Sequence, residues 1–149
     1  MTGLWVALAT LALGTVIGVV RLRRDGRVRD LGGDLGGDRL TTAELGAPLG
    51  ERATLVQFST AFCQPCRATR RVLADVAGLV PGVGHVEIDA ESRLDLVRRL
   101  DIMRTPTVVI LDSAGNIAKR ASGQPRKAEV LAALAGVLSQ ESSQTPDEM

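Results

Sequence analysis

Cysteine is scarce in this chain: Cys63 and Cys66 are the only two. So few cysteines exclude a secreted scaffold stapled by several disulfides. Tetrahedral zinc wants about four ligands, and only His85 and carboxylates are present to join the two thiols. Tyrosine is absent and aromatic residues make up 2% of the chain. A core must therefore be aliphatic, and a hydrophobic content of 45% supplies the material. Excess charge of one sign is lacking too: 18 Lys and Arg face 17 Asp and Glu, a formal net charge of +1. That balance implies no general polyanion-binding surface, so no nucleic acid partner is expected. A length of 149 residues fits one domain of ordinary size with appendages.

No lysine or arginine precedes the first apolar run, Leu4 to Val20, and no charge interrupts it. With Met1-Thr2-Gly3 the run reaches about 20 residues, the lower range of a membrane-spanning helix. A cleavable signal carries its basic stretch before the apolar run and a small-residue cleavage site after it. Here Arg21, Arg23, Arg24, Arg27 and Arg29 follow instead. Residues 1–20 are therefore expected to be an uncleaved, single-pass anchor in the cell membrane. Short basic flanks stay on the cytoplasmic side, so the rest of the chain is expected to face the cytoplasm.

Residues 21–39 read as a basic flank and a Gly/Asp-rich linker, containing Gly32-Gly33-Asp34-Leu35-Gly36-Gly37-Asp38. Thr41 and Glu44 have capping-box spacing for a short helix. A compact domain is expected over 40–138. Ala53 to Phe58 reads as a buried strand. The helical pattern from Cys66 to Val80 puts Val72, Leu73, Val76 and Ala77 on one face. Pro81-Gly82 stops it. Val83 to Asp89 alternates, Arg93 to Leu100 is amphipathic, and Thr107 to Leu111 is an apolar strand. A turn at 112–116 leads into a hairpin partner, Ile117 to Ser122. Arg126 to Leu138 forms the last helix, and 139–149 reads as a disordered tail. Early strands joined by helices should run parallel, with the last two forming an antiparallel hairpin.

The two cysteines stand in Cys63-Gln64-Pro65-Cys66, where a strand leads into a helix. A helix N-terminus offers unpaired N–H groups and a dipole that favour an anion. A thiolate is such an anion, so Cys63 should be nucleophilic at neutral pH. Cys66 lies about one turn on, within reach of a mixed disulfide on Cys63. Pro65 is tolerated because first-turn N–H groups have no intrahelical acceptor. Three other uses stay open from these residues alone: two buried structural cysteines, a structural disulfide closing a tiny loop, or part of a zinc site.

From Leu40 to Leu138 the chain resembles the thioredoxin family. The resemblance rests on ordered features: the strand before Phe62-Cys63-Gln64-Pro65-Cys66, the Val86-Glu87-Ile88-Asp89 strand, the Arg104-Thr105-Pro106-Thr107 step, and Gly123 after the hairpin. It implies an α/β thioredoxin fold, a central mixed sheet flanked by helices, here preceded by a single transmembrane helix. It also implies that Cys63 attacks, Cys66 resolves, and a cis Pro106 faces them. Phe62, Gln64, Thr105, Pro106 and Gly123 then form the substrate-facing surface, with the Thr105 backbone as a hydrogen-bonding edge. No metal or organic cofactor is implied beyond the redox-active Cys63–Cys66 pair. The partners implied are protein disulfides and an external reductant.

Three positions depart from the family pattern. Phe62 stands where Trp is usual, keeping an apolar lid without the indole N–H. Gln64 replaces a Gly between the cysteines, so the redox potential is expected to differ. Gln57 replaces a buried Asp that can shuttle the resolving thiol's proton. His85 falls where a Lys is frequent. If it faces Gln57, it is the group here able to carry a proton near neutral pH. The expected function is a membrane-anchored thiol-disulfide oxidoreductase. Its alternatives are a docking or sensor module of the same fold, and an extracytoplasmic disulfide oxidoreductase.

Overall fold

In the computed structural model, which describes residues 1–24, 27–30 and 38–144, the chain opens on one long helix, α1 (Thr2–Arg24). Strand β1 (Val28–Asp30) and a short α2 (Thr42–Leu45) follow. A β2 (Ala53–Ser59), α3 (Gln64–Leu79), β3 (Val83–Asp89) unit comes next, then α4 (Leu94–Arg99). The hairpin β4 (Thr107–Asp112) and β5 (Ile117–Ser122) leads to α5 (Lys127–Gln144). The strands lie in the order β1-β5-β4-β2-β3.

Strand β2 is buried along its whole length, because both of its faces are covered. Val56 and Phe58 join Leu40, Leu45, Leu96, Leu100 and Leu111 on the side of α2 and α4. Ala53 and Leu55 join Leu73, Val76, Val130 and Leu134 on the side of α3 and α5. Both clusters are almost wholly aliphatic, as a chain with so few aromatic residues requires.

Helix α2 carries the expected capping box. The Thr41 N–H donates to Glu44 Oε2 (2.8 Å), and the Glu44 N–H donates to Thr41 Oγ1 (3.3 Å). At the other end of α3, Gly82 sits at φ 79°, a turn that L side chains rarely adopt. Its carbonyl accepts the Arg52 N–H at 2.8 Å and fixes the start of β2.

Three expectations are corrected. Strands β2 and β3 pair in parallel, but β4 runs antiparallel to β2 instead of continuing the parallel series. The packing of the connection is the reason: Leu96, Leu100 and Ile102 bury with Phe58 and Ile88, near the ends of β2 and β3, and hold the chain at that end of the sheet. The chain therefore enters β4 where β3 leaves the sheet and runs back along β2.

The second correction falls in the expected linker over 21–39. Residues 28–30 pair antiparallel with β5, with Val28 opposite Ala121. Backbone pairing along an otherwise open strand edge needs little side-chain hydrophobicity, and Val28 packs on the α5-side cluster. The glycine-rich residues 31–37 lie outside the described residues.

The third concerns the expected tail at 139–149, since α5 continues to Gln144. No proline or glycine interrupts it there, and its serines bond back along the helix. Ser142 Oγ donates to the Leu138 carbonyl (3.1 Å) and Ser143 Oγ to the Ser139 carbonyl (3.0 Å). Glu141 Oε1 also accepts the Ser113 N–H at 2.8 Å. Residues 145–149 lie outside the described residues.

Helix α1 is long and apolar enough to cross a membrane, and none of its residues is buried by the rest of the chain. Arg21, Arg23 and Arg24 occupy its last turn.

Candidate active site

Strand β2 delivers the chain to the carboxyl end of the sheet, and a short loop from Thr60 to Phe62 turns it into α3. Cys63 is the N-cap of that helix, with extended φ and ψ of −93° and 102°. Its Sγ accepts the Cys66 N–H at 3.2 Å, as an N-cap side chain does. Gln64 and Pro65 occupy the first turn and are exposed. Thr69 Oγ1 donates to the Pro65 carbonyl at 2.9 Å.

Cys63 and Cys66 form a disulfide with an S–S distance of 2.07 Å and a Cα–Cα distance of 5.2 Å. The two ends of the bridge differ in access. Cys66 is 1% exposed and packed beneath the helix, while Cys63 is partly open to solvent.

The Thr105-Pro106 step lies across the same end of the sheet, and its peptide bond is cis. Thr60 and Thr105 touch through their hydroxyls at 3.3 Å, tying the cysteine loop to the proline loop. Thr107 Oγ1 donates to the Arg104 carbonyl at 2.6 Å. The Gly123 N–H donates to the Pro106 carbonyl at 2.7 Å. Gly123 holds φ at 97°, which explains a glycine at that corner. The structure thus brings Cys63, Cys66, Pro65, Thr105, Pro106 and Gly123 to one end of the sheet.

Phe62 does not act as a lid. Its side chain is 98% exposed, because the loop before the N-cap turns it away from the sheet.

Gln57 lies beneath the helix, fully buried. Its Nε2 donates to the Cys66 carbonyl at 2.8 Å, and its Oε1 is buried with no partner among the described residues. His85 does not stand opposite Gln57. In the parallel register His85 pairs with Leu55, and Glu87 pairs with Gln57. Burial pushes the His85 pKa below its ordinary value, which favours the neutral ring. His85 Nε2 is buried without a partner among the described residues.

Glu87 is the residue that sequence reasoning passed over. It was legible only as a polar step in an alternating strand, yet it reaches the cysteine cleft. Ser59 Oγ donates to Glu87 Oε1 at 2.6 Å, and so does Arg70 Nη2 at 2.6 Å. Arg70 Nε completes the fork on Oε2. The Arg70 guanidinium, first among several causes, holds the Glu87 carboxyl below the ordinary carboxylate range. Ser59, Arg70, Glu87 and Asp89 line a cleft of about 420 Å³ together with Cys63 and Cys66. Among the described residues no cluster of three or more His, Cys, Asp or Glu could hold a metal ion.

The thioredoxin family model matches residues 41–136. The chain belongs to the thioredoxin family. It is 29% identical over 85 residues to thioredoxin H4-1 of Oryza sativa, covering 56% of this chain and 65% of that protein. It is 26% identical over 72 residues to thioredoxin H5 of the same species, covering 48% of this chain and 53% of that protein. The chain thus spans between about half and two thirds of the length of these relatives. Among solved structures, chloroplastic thioredoxin z is 30% identical, with a TM-score of 0.54 over 60% of this chain and 80% of that one. A thioredoxin variant from Halobacterium salinarum shares the fold at 17% identity, with a TM-score of 0.55 over 59% and 76% of the two chains. Members of the family work through a redox-active cysteine pair, and Cys63 and Cys66 stand at that spacing.

Proposed function

We propose that this protein is a membrane-anchored thiol-disulfide oxidoreductase acting on protein disulfides. The observation that carries the reading is Cys63 as N-cap of α3, joined to a buried Cys66. In the reduced form, the Cys63 thiolate attacks one sulfur of a substrate disulfide. A mixed disulfide forms, and the other substrate sulfur leaves as a thiolate. Cys66, after losing its proton, attacks Cys63 Sγ. The products are the Cys63–Cys66 disulfide and a substrate with two thiols. Two electrons have passed to the substrate, so an external thiol reductant must return the pair to the dithiol.

The surrounding residues take supporting roles in this reading. Pro65 starts the helix that stabilises the Cys63 thiolate. Gln57 holds the Cys66 backbone, and His85 lies under the same helix. Phe62, Gln64, Thr105, Pro106 and Gly123 form the surface on which a substrate segment lies, with the Thr105 backbone as its hydrogen-bonding edge. The domain over 40–138 performs the chemistry, and α1 carries the anchor. Its basic last turn supports a cytoplasmic placement of the domain.

Catalytic turnover of a protein disulfide by the full chain, with an excess of a small dithiol, tests the activity. The Cys63→Ser variant serves as the blank; equal rates from both would refute it. For topology, an impermeant maleimide applied to intact cells after reduction should leave Cys63 unlabelled until the cells are permeabilised. Labelling of intact cells would reverse the orientation and favour an extracytoplasmic role.

A further inference from the structure

Helix α1 meets the domain at the end of the sheet that carries the disulfide. Strand β1 pairs antiparallel with β5, and its first residue, Val28, stands opposite Ala121. Ala121 lies just before Ser122 and Gly123, and the Gly123 N–H donates to the Pro106 carbonyl at 2.7 Å. The chain therefore enters β1 at the Pro106 end of β5 and runs away from it toward Asp30. Helix α1 ends at Arg24 and β1 starts at Val28, so the connection spans at most roughly 15 Å even at full extension. A side-chain contact gives the same placement. Leu22, in the last turn of α1, lines the groove that also holds Pro65, Thr105, Pro106 and Gly123.

These positions set a height. Leu22 closely follows Val20, the end of the apolar run. The step is about 3 Å along a helix, within a headgroup layer roughly 5–8 Å deep on each side of the hydrocarbon. Phe62 at 98% and Met103 at 82% are the most exposed large apolar side chains of residues 38–144. They stand in the loops that lead to Cys63 and to Pro106. Side chains of this kind settle at the boundary between headgroups and acyl chains. Buried at that boundary, they hold the same end of the sheet toward the lipid.

We propose that the disulfide end of the domain faces the bilayer surface, and that its substrates are disulfides in membrane-proximal segments of other membrane proteins. The proposal rests on the anchored oxidoreductase reading above. The short connection to α1 confines Cys63 to a thin layer over the lipid. A disulfide anchored in the same layer meets Cys63 at a high effective concentration, and one held far from the lipid does not.

The test uses the full chain, reduced, in phosphatidylcholine vesicles, with membrane insertion checked by flotation. Single-span peptides of one sequence carry a disulfide loop in two placements. One loop follows the membrane edge directly, and the other stands beyond a stiff helical spacer of roughly 30 residues, about 45 Å long. The near loop should be reduced at least about tenfold faster, because a tether that cannot span the gap gives almost no effective concentration. A flexible Gly/Ser insert of about 30 residues after Arg24, with a mean reach of roughly 30 Å, should bring the two rates close together. Orientation is read separately, since Trp5 is the only tryptophan. Brominated phosphatidylcholine should quench Trp5→Phe/Phe62→Trp. It should leave Trp5→Phe/Ser113→Trp bright, because Ser113 lies in the turn between β4 and β5 at the opposite end of the sheet. Equal rates for the two loops, a rate ratio that survives the insert, or quenching at 113 in place of 62 would overturn the proposal. A neutral small-molecule disulfide reports the chemistry alone. Reduction of it by vesicle-bound protein that fails the placement tests would leave the anchored oxidoreductase reading standing. Protein that does not float with the vesicles, or does not reduce the small disulfide, removes that reading and the proposal with it.

Discussion

Gln57 donates its side-chain N–H to the backbone carbonyl of Cys66 at 2.8 Å, from beneath the helix that carries the disulfide. The family resemblance implies a buried acid at this place. An amide can hold the resolving cysteine's backbone, but it cannot take that cysteine's proton.

Replacing Gln57 with Asp should therefore speed the resolving step. A carboxyl buried there has a raised pKa through desolvation, and the anionic Glu87 opposite it raises it further. That moves the group toward the range of a useful base near neutral pH. The same change removes the donor to the Cys66 carbonyl, which costs about 1–3 kcal/mol. Rapid-mixing kinetics and urea unfolding should show faster resolution with a lower midpoint. An unchanged resolving rate would mean that the proton passes directly to water.

The unequal access of the two sulfurs predicts unequal variants. Cys63→Ser should abolish disulfide reduction. Cys66→Ser should accumulate a mixed disulfide between Cys63 and its substrate, visible by non-reducing electrophoresis and mass spectrometry. A complex trapped through Cys66, whose side chain is buried, would refute the assignment.

Acid should weaken the docking of α2. The Arg99 side chain, followed by the Thr41 backbone N–H, lowers the Glu44 pKa from its ordinary 4.5 to about 2. A depressed carboxyl contributes stability above its unfolded value, and that stability is lost as pH falls from 4.5 toward about 2. Glu44→Gln should therefore be less stable than the parent at pH 6, and the gap should close on acidification. Urea midpoints from pH 6 to pH 2.5 measure it, and a gap independent of pH would contradict the pairing. Thr41→Ala, which removes the cap, should cost about 1 kcal/mol.

His85 gives a second, separate pH dependence. Burial, the first cause, lowers its pKa from 6.5, opposed by the Glu87 charge and reinforced by Arg70. The unfolded chain then binds the proton more readily than the folded one. Stability is complete above the unfolded value and falls as pH drops through 6.5 toward the folded value. Unfolding midpoints between pH 7.5 and pH 5.5 should show that slope in the parent and lose it in His85→Leu. A slope that persists in the variant would assign it to another group.

Much of this protein could be read from short stretches alone. The capping box of Thr41 and Glu44, the helix starting at Cys63, the stop at Gly82 and the apolar periodicity of each element follow from neighbours a turn or a strand away. So did the clustering of Cys63, Pro106 and Gly123, once the family resemblance set them in order. Other features were decided by contacts between distant segments. The direction of β4 depends on where α4 and Ile102 pack against the sheet. The strand at Val28–Asp30 depends on an edge supplied by β5. Glu87 enters the cysteine cleft because the parallel register sets it opposite Gln57, and because Arg70 and Ser59, 17 and 28 residues away in sequence, close on it. Backbone propensity and side-chain periodicity act over a few residues, whereas strand register and charge pairing exist only once the sheet has assembled.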